Sequence, residues 1–176
     1  LIDRTSGLLS RIGFEWPKVD ETRMVDLIAM ALRERLEFIK ELSLFNGVAY
    51  SVQREIAFMS KEVVFREGSD IVWEGDPVND LYLIFSGNAE VQKTSKAGWL
   101  GTIMITGRGD FLGFESLSGG KSNITAETIM GDLRALAING TRLKQTLLTA
   151  PELCFNLLTA VSETAQKLEG IITNID

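Results

Sequence analysis

The chain has no histidine and a single cysteine, Cys154. The absence of imidazole excludes histidine-based zinc sites, histidine-ligated haem and catalytic schemes that need a histidine base. One cysteine cannot form an internal disulfide or hold an iron–sulfur cluster by itself. We therefore expect a non-enzymatic protein with no catalytic residue, no metal site and no cofactor, in a reducing, cytoplasmic setting.

Positive charge and long apolar runs are also scarce. Lys and Arg total 18 against 24 Asp and Glu, which gives a formal net charge of −6. This balance does not favour the phosphate backbone of nucleic acids, so we expect no direct nucleic-acid contact by this chain. The longest apolar stretches, such as residues 28–32, are too short to cross a bilayer, so we also expect no membrane insertion.

The overall composition of the chain is that of a folded globular protein. Its 176 residues are 45% hydrophobic and 24% charged, which is typical of one folded domain or of one domain with a helical extension. The chain begins with Leu1 instead of Met, and its last helical pattern runs to the end. We therefore expect it to be part of a longer protein.

The pattern of apolar residues changes along the chain from helical to strand-like and back. Apolar residues at steps of three or four predict a helix from Asp20 to about Leu42, and a second, shorter helix over residues 52–59. From Glu62 to Ile138, short apolar runs separated by glycine-rich turns predict an antiparallel, jelly-roll-like β-roll. Among these runs, predicted as separate strands, are residues 81–85, 89–94, 123–129 and 133–138. The predicted class is α+β, with an N-terminal lead-in and helices over 1–60, the roll over 61–138 and C-terminal helices over 139–176.

The final predicted helix begins at Pro151 and carries a narrow apolar seam. The seam repeats at alternating steps of four and three, the spacing of a coiled-coil heptad. This pattern predicts a homodimer formed through the helix, although a stripe that packs on the chain's own roll has the same appearance over this length. The seam residues are Cys154, Leu158, Val161, Ala165, Leu168 and Ile172.

Three segments together resemble the cyclic-nucleotide-binding domain superfamily. They are Phe38–Phe45, which ends in Leu-Phe, Gly68–Pro77, which contains a Gly-Asp turn, and Leu81–Gly87, an apolar strand closed by Ser-Gly. The resemblance runs from about Leu36 to the end of the chain. It implies a leading helix, a β-roll and a long C-terminal helix that commonly forms a dimer interface.

The same resemblance assigns residues 109–117 to the place of the family's phosphate-binding cassette. In nucleotide-binding members, a Phe-Gly-Glu start supplies a carboxylate to the ribose, and an Arg-Ser or Arg-Thr pair holds the cyclic phosphate. Here the gapless register puts Phe114 at the glutamate position and Asn123-Ile124 at the Arg-Ser position, so both key groups are missing. The resulting candidate ligand residues are Gly113, Phe114, Glu115, Ser116, Asn123 and Thr125.

Nearby residues offer partial replacements for the missing groups. Glu115 can recover the sugar contact if the cassette shifts by one residue. Arg108 and Lys121 lie on loops beside the cassette, where either is a candidate for contact with a phosphate.

This departure is more similar to sensor members of the catabolite-activator and fumarate-nitrate-regulator family that respond to other signals. The resemblance implies a non-catalytic, dimeric regulatory domain that controls an output module outside this chain. We expect ordinary cyclic-nucleotide binding to be lost, and any small-molecule effector to be something else. The alternatives are a true cyclic-nucleotide-binding domain of a transcription factor, channel or transporter, and a ligand-free dimerisation domain. The related cupin enzymes need metal-binding histidines, which this chain lacks.

Overall fold

The computed structural model describes residues 21–95, 98 and 100–172, with side chains described from residue 31 to residue 166 within those ranges. By packing, the chain divides into two compact units, 1–33 and 34–176. The sheet and the candidate site lie in the second unit. The irregular lead-in predicted for the first 18 residues lies outside the described part.

Within the described residues, four α-helices lie before and after the sheet in the chain. Helix α1 spans Glu21–Glu41 and is followed by a 3₁₀ turn, Ser43–Phe45, and by α2, Tyr50–Met59. After the last strand come α3, Gly140–Leu147, and α4, Pro151–Ile172. The side chain of Asn139 caps α3 by accepting a hydrogen bond from the backbone N–H of Arg142. No helix in the described part of the chain has the length and apolar character needed to span a membrane.

Six strands form one antiparallel sheet with the order β1-β6-β3-β4, and the short strands β2 and β5 pair with β6 and β3. The longest pairing joins β3 to β6, from Asp80 opposite Asn139 to Gln92 opposite Thr125. The predicted α+β fold, an antiparallel roll with helices before it and a long helix after it, is confirmed. The strands are β1 (Lys61–Phe65), β2 (Asp70–Val72), β3 (Asp80–Thr94), β4 (Leu100–Thr106), β5 (Phe111–Leu112) and β6 (Thr125–Asn139).

Two pairs of runs that the sequence separates are continuous strands in the structure. The turn signal around Gly87 lies inside β3, and the break expected before Leu133 lies inside β6. Gly87 and Gly131 have φ angles of +90° and +107°, and Met130 between the two runs has +58°. Left-handed residues inside a strand bend it and shift its register without ending it. The separation was therefore wrong, because these glycines bend the two strands of the roll and do not reverse them.

The core lies on both faces of the β3–β6 pair. On the inner face of the roll, side chains such as Ile84, Val91 and Leu133 are buried together. On the other face, Leu81 and Ile138 meet leucines of the helices around a small apolar gap. Those helical residues are Leu44, Phe45, Leu143, Leu147, Leu153 and Leu157. Burial of apolar surface on both faces holds α3 and α4 against the strands that precede them.

The C-terminal half of α1 is fixed to the roll by rings and arginines. The rings of Phe38 and Phe85 lie 4.7 Å apart. The guanidinium of Arg108 lies 4.9 Å from the centre of the Phe38 ring, and that of Arg134 lies 4.6 Å from the centre of the Phe85 ring. Arg108 also pairs with Glu41 at 2.7 Å. Stacked guanidinium groups of this kind add cation–π attraction to the apolar contact.

Replacing Gly87 with Ala tests the bend in β3. A Cβ at this position would lie 2.7 Å from the carbonyl oxygen of Asp132, and the φ of +90° is itself unfavourable for alanine. We expect Gly87→Ala to lower the free energy of unfolding by about 3 kcal/mol. Gly75→Ala is the matched control, because Gly75 has a φ of +92° but no atom within 4 Å, and it should cost about 1 kcal/mol. Equal losses in urea denaturation would show that the close approach at Gly87 contributes nothing.

Candidate functional site

The cassette forms a short helical turn in the connection between β5 and β6. Gly113 follows β5 with a left-handed φ of +79°, and Phe114–Leu117 form one 3₁₀ turn. A Cβ on Gly113 would lie 2.5 Å from the carbonyl oxygen of Asp80, and one on Gly140 would lie 2.4 Å from that of Ser116. Only glycine fits at these two positions without a shift of backbone. The cassette is therefore held closely between the start of β3 and the start of α3.

Two polar groups of the cassette are buried without a partner. Ser116 is 6% exposed, and neither its Oγ nor the Oε1 of Glu115 makes a hydrogen bond within the described part of the chain. Phe114, at the position of the family's glutamate, is 38% exposed and has no polar group to offer. Unsatisfied buried oxygens are uncommon in folded proteins. They supply hydrogen-bonding capacity at the place where a ligand of this fold is expected.

A group of polar residues lies where the loop after the cassette enters β6, and we call it the corner cluster. It consists of Glu74 after β2, Lys93 near the end of β3, Asn123 of the loop and Thr125 at the start of β6. The Nζ of Lys93 lies 2.6 Å from Oε1 of Glu74 and also donates to the backbone carbonyl of Asn123. The other carboxylate oxygen of Glu74 accepts from the backbone N–H of Thr94 at 3.1 Å. The backbone N–H of Glu74 donates to Oγ1 of Thr125, also at 3.1 Å. The ends of β2 and β3 and the start of β6 are thereby joined.

The charges of the corner cluster balance internally. The hydrogen bond from the Lys93 ammonium, with further hydrogen bonds from Thr94, lowers the pKa of Glu74 to about 2. Glu74 is therefore ionised at neutral pH and pairs with the side chain of Lys93. The two side chains are only partly exposed, at 26% for Glu74 and 43% for Lys93. The pair contributes no net charge to this end of the roll.

The structure places the sequence-predicted residues in two separate groups. Gly113, Phe114, Glu115 and Ser116 form the cassette turn, while Asn123 and Thr125 belong to the corner cluster. The backbone N–H of Gly75 donates to Ser122 at 2.8 Å, so the turn before β3 is tied to the same loop. The described residues contain no group of three or more acidic or cysteine side chains that could hold a metal ion.

The two cations proposed to replace the missing arginine differ in their surroundings. Arg108 is committed to α1, because its guanidinium donates to Glu41 and to the carbonyl of Phe85, each at 2.7 Å. A ligand phosphate would have to compete with these two partners for the guanidinium of Arg108. Lys121 is exposed and makes no side-chain hydrogen bond or ion pair with any residue that the structure describes.

Sequence reasoning missed the two charged members of the corner cluster. Glu74 directly precedes the Gly-Asp turn, and it was considered only as part of the segment Gly68–Pro77 that carries the family resemblance. Lys93 follows the buried residues Ala89 and Val91 at steps of two, so it continues the inward-facing register of β3. A lysine in an otherwise apolar inward register is the signal that could have identified it.

The apolar seam of α4 is directed away from the roll. Leu158 is 65% exposed, Cys154 and Ala165 are also exposed, and Val161 is partly buried. The helix instead packs inward through Leu153 and Leu157. The described part of the seam therefore does not pack on the roll of the same chain. The side chains of Leu168 and Ile172 lie outside the described residues.

Comparison with known proteins decides the family. The family model described as "Cyclic nucleotide-binding domain" matches residues 62–150, about half of the chain. The chain belongs to the cyclic nucleotide-binding domain family. The resemblance carried by the three segments is confirmed, and the cassette and corner cluster fall within the matched range.

Relatives of this cyclic nucleotide-binding domain include a transcriptional regulator. The CRP-like cAMP-activated global transcriptional regulator of Mycobacterium tuberculosis is 22% identical over 139 residues, which is 79% of this chain and 62% of the regulator. The chain thus spans less than two thirds of that regulator's length.

Solved structures show the same fold. The regulatory domain of Toxoplasma gondii PKA with cAMP superposes with a TM-score of 0.71 at 16% identity, covering 78% of this chain and 52% of that one. The regulatory subunit of a cAMP-independent protein kinase A from Trypanosoma cruzi, bound to guanosine, has a TM-score of 0.62 at 20% identity, covering 70% and 44%.

Low pH should reduce the folding stability of the domain, because it protonates the carboxylate of Glu74. The pKa of this carboxyl is lowered in the folded chain from 4.5 to about 2, so the stabilisation is present above about pH 4.5 and is lost as pH falls toward 2. We expect Glu74→Gln to remove this part of the acid dependence. Urea denaturation at pH 7, 5 and 3 measures it. Curves for wild type and variant that fall in parallel from pH 5 to pH 3 would contradict the assignment.

Proposed function

We propose that this chain is a dimeric, non-catalytic regulatory domain that keeps the family's fold but does not hold a cyclic phosphate. The observation that carries the proposal is the content of the corner cluster. Where the family resemblance calls for an Arg-Ser pair, the loop offers Asn123 and Ile124, and the nearby ammonium of Lys93 is already paired with Glu74. Among the residues that the structure describes, no unpaired guanidinium contacts the corner cluster to hold a phosphate.

The loss is large on the scale of charged hydrogen bonds. A guanidinium that binds a phosphate through two hydrogen bonds contributes roughly 1.5–3 kcal/mol for each charged contact. Each 1.4 kcal/mol corresponds to about one decade in affinity, so the missing arginine lowers affinity by more than tenfold. Phe114 also removes the carboxylate that the family presents to the ribose. Together these replacements support the loss of ordinary cyclic-nucleotide binding.

The cassette is in direct contact with the first of the C-terminal helices, so a ligand-induced change there can reach them. The backbone of Ser116 lies directly against Gly140, the first residue of α3, with no space for a side chain between them. Any displacement of the cassette must therefore move α3 or strain it, and α4 follows after only three residues. A ligand shifts this equilibrium only as far as it binds one arrangement better than the other. The output module that reads the shift lies outside this chain in our proposal.

Dimerisation through α4 is supported by the exposed seam. Cys154, Leu158 and Ala165 present apolar surface at heptad spacing on the face that does not pack on the roll. A seam of this kind matches a second copy of itself, because the same residues on two helices can pack together. The predicted cytoplasmic setting, the expected lack of nucleic-acid contact and the three-part organisation of the chain stay predictions.

A second candidate function is the sensing of a nucleoside. The Trypanosoma cruzi relative is bound to guanosine and is named cAMP-independent. The fold can therefore carry a nucleoside that has no phosphate. In this chain, the unpaired oxygens of Glu115 and Ser116 are suited to hydroxyl or amino groups of such a ligand. A ligand-free dimerisation domain is the remaining alternative.

Calorimetric titration with cyclic AMP and cyclic GMP tests the proposal. We expect no binding tighter than about 1 mM by the wild-type chain, and measurable binding by Asn123→Arg, which restores a guanidinium at the family position. Asn123→Gln is the matched control, because it lengthens the side chain without adding charge, and it should behave as wild type.

The same titrations with adenosine and guanosine separate the alternatives. Micromolar binding of cyclic AMP by the wild-type chain would overturn the proposal and favour the alternative of a true cyclic-nucleotide-binding domain. Binding of adenosine or guanosine without binding of either cyclic nucleotide would support the second candidate. No binding by any ligand before the substitution would favour the ligand-free domain.

Replacing Leu158 with Glu tests the dimer. A carboxylate placed in the seam would lie unpaired in the interface, which is costly, so we expect a folded monomer. Thr159→Glu adds the same charge to an exposed position of α4 outside the seam and should leave the dimer intact. Light scattering gives the mass, and circular dichroism confirms folding. A monomeric wild-type chain, or a dimer that persists in Leu158→Glu, would contradict this interface.

A further inference from the structure

Lys93 stands where the roll would ordinarily present an apolar side chain. Ala89 is fully buried and Val91 is 2% exposed, and both belong to the core of the roll. Lys93 is the next residue of this inward register, and its side chain is 43% exposed. Its ammonium contacts the backbone carbonyl of Asn123, so it lies beside the loop that occupies the family's phosphate-binding position.

The ammonium already has two hydrogen-bond partners, so an anion would have to compete with them for it. Glu74 contacts it at 2.6 Å, and the carbonyl of Asn123 accepts from it on another side. Glu74 itself is fixed, since its second carboxylate oxygen accepts from the backbone N–H of Thr94. Swinging the carboxylate away would break that bond as well as the ion pair. The pair is thus a built part of the corner and not a loose surface contact.

We infer that the Glu74–Lys93 pair determines the charge of the ligand that this site accepts, excluding an anionic group beside Asn123 and admitting one that is uncharged there. The inference rests on the proposed function and deepens it. The missing arginine explains why attraction for a phosphate is weak. The pair explains why Lys93 does not replace that arginine.

The physical reason is the geometry of the two charges. A phosphate that approached Lys93 would have to displace the carboxylate of Glu74 or lie next to it. The first costs the existing ion pair and hydrogen bonds, and the second places two negative groups in contact. A hydroxyl or amide group of a ligand meets neither penalty.

Removing the carboxylate while keeping its hydrogen bond is the direct experiment. Glu74→Gln leaves an oxygen to accept from Thr94 and changes the net charge of the pair from zero to +1. We expect Glu74→Gln to bind cyclic AMP at least about tenfold more tightly than wild type, with the response to adenosine unchanged. Glu74→Ser provides a second uncharged variant if Glu74→Gln does not fold. Calorimetry gives affinities, and thermal unfolding in the presence of inorganic phosphate gives an independent readout.

Two controls assign any gain to the lysine. Glu74→Asp keeps the negative charge and should not gain affinity for cyclic AMP. The double variant Glu74→Gln with Lys93→Met removes both charges and should lose whatever Glu74→Gln gained. A folded Glu74→Gln whose cyclic AMP affinity equals that of wild type would overturn the inference, as would a gain that survives in the double variant.

The outcomes also separate this inference from the proposed function. If the wild-type chain itself binds cyclic AMP at micromolar concentration, the proposed function fails. The inference then still stands if Glu74→Gln tightens that binding tenfold through Lys93, and it fails if the affinity does not change. If the wild-type chain rejects cyclic AMP and Glu74→Gln rejects it equally, the proposed function survives and the inference does not.

Discussion

The antiparallel pairing of β3 with β6 is the constraint on which the rest of this structure depends. The two strands are each fifteen residues long and pair from Asp80 to Gln92 of β3. One face of the pair carries the core of the roll, and the other carries the leucines that hold α3 and α4. The close approach of Gly87 to Asp132 lets the pair bend without opening. Without this pairing, neither the roll nor the helices would have a surface on which to pack.

The candidate site follows from the two ends of that pairing. At one end, Asp80 of β3 and Asn139 of β6 stand opposite each other, and the cassette is held between Gly113 and Gly140. At the other end, the last residues of β3 meet the first residues of β6, and Lys93 contacts Asn123. The backbone thus builds the place for a ligand, while side chains at a few positions decide its chemistry. This is why a chain can keep the family's fold and change what it recognises.

Much of the fold was predictable from the sequence because its signals are local. Helix periodicity gave the end of α1 near Leu42, and alternating short runs with glycine turns gave an antiparallel roll. The continuity of β3 and β6 was not predictable, because a glycine that bends a strand and one that ends it look alike until the partner strand is known. Gly87 is required by the backbone of Asp132, which is 45 positions away in the chain.

The candidate site was predictable only in part, and for the same reason. The cassette was found because its residues are contiguous. The contact between Glu74 and Lys93 joins positions 19 residues apart, and Arg108 is drawn to Glu41, which lies 67 residues away. Such long-range partners decide whether a charged side chain is available to a ligand. The exposure of the α4 seam likewise depends on Leu153 and Leu157 burying the neighbouring face of the helix.

In our proposal, the ion pair with Glu74 already neutralises the corner beside Asn123, which therefore does not receive a phosphate. Nuclear magnetic resonance of the isotope-labelled wild-type chain tests this directly, by following backbone amides of residues 113–125 and the side-chain ammonium of Lys93 during addition of cyclic AMP. We expect no saturable shift at Ser122, Asn123 or Lys93 up to millimolar nucleotide. Saturable shifts at these residues, with Lys93 leaving Glu74 for the phosphate, would contradict it.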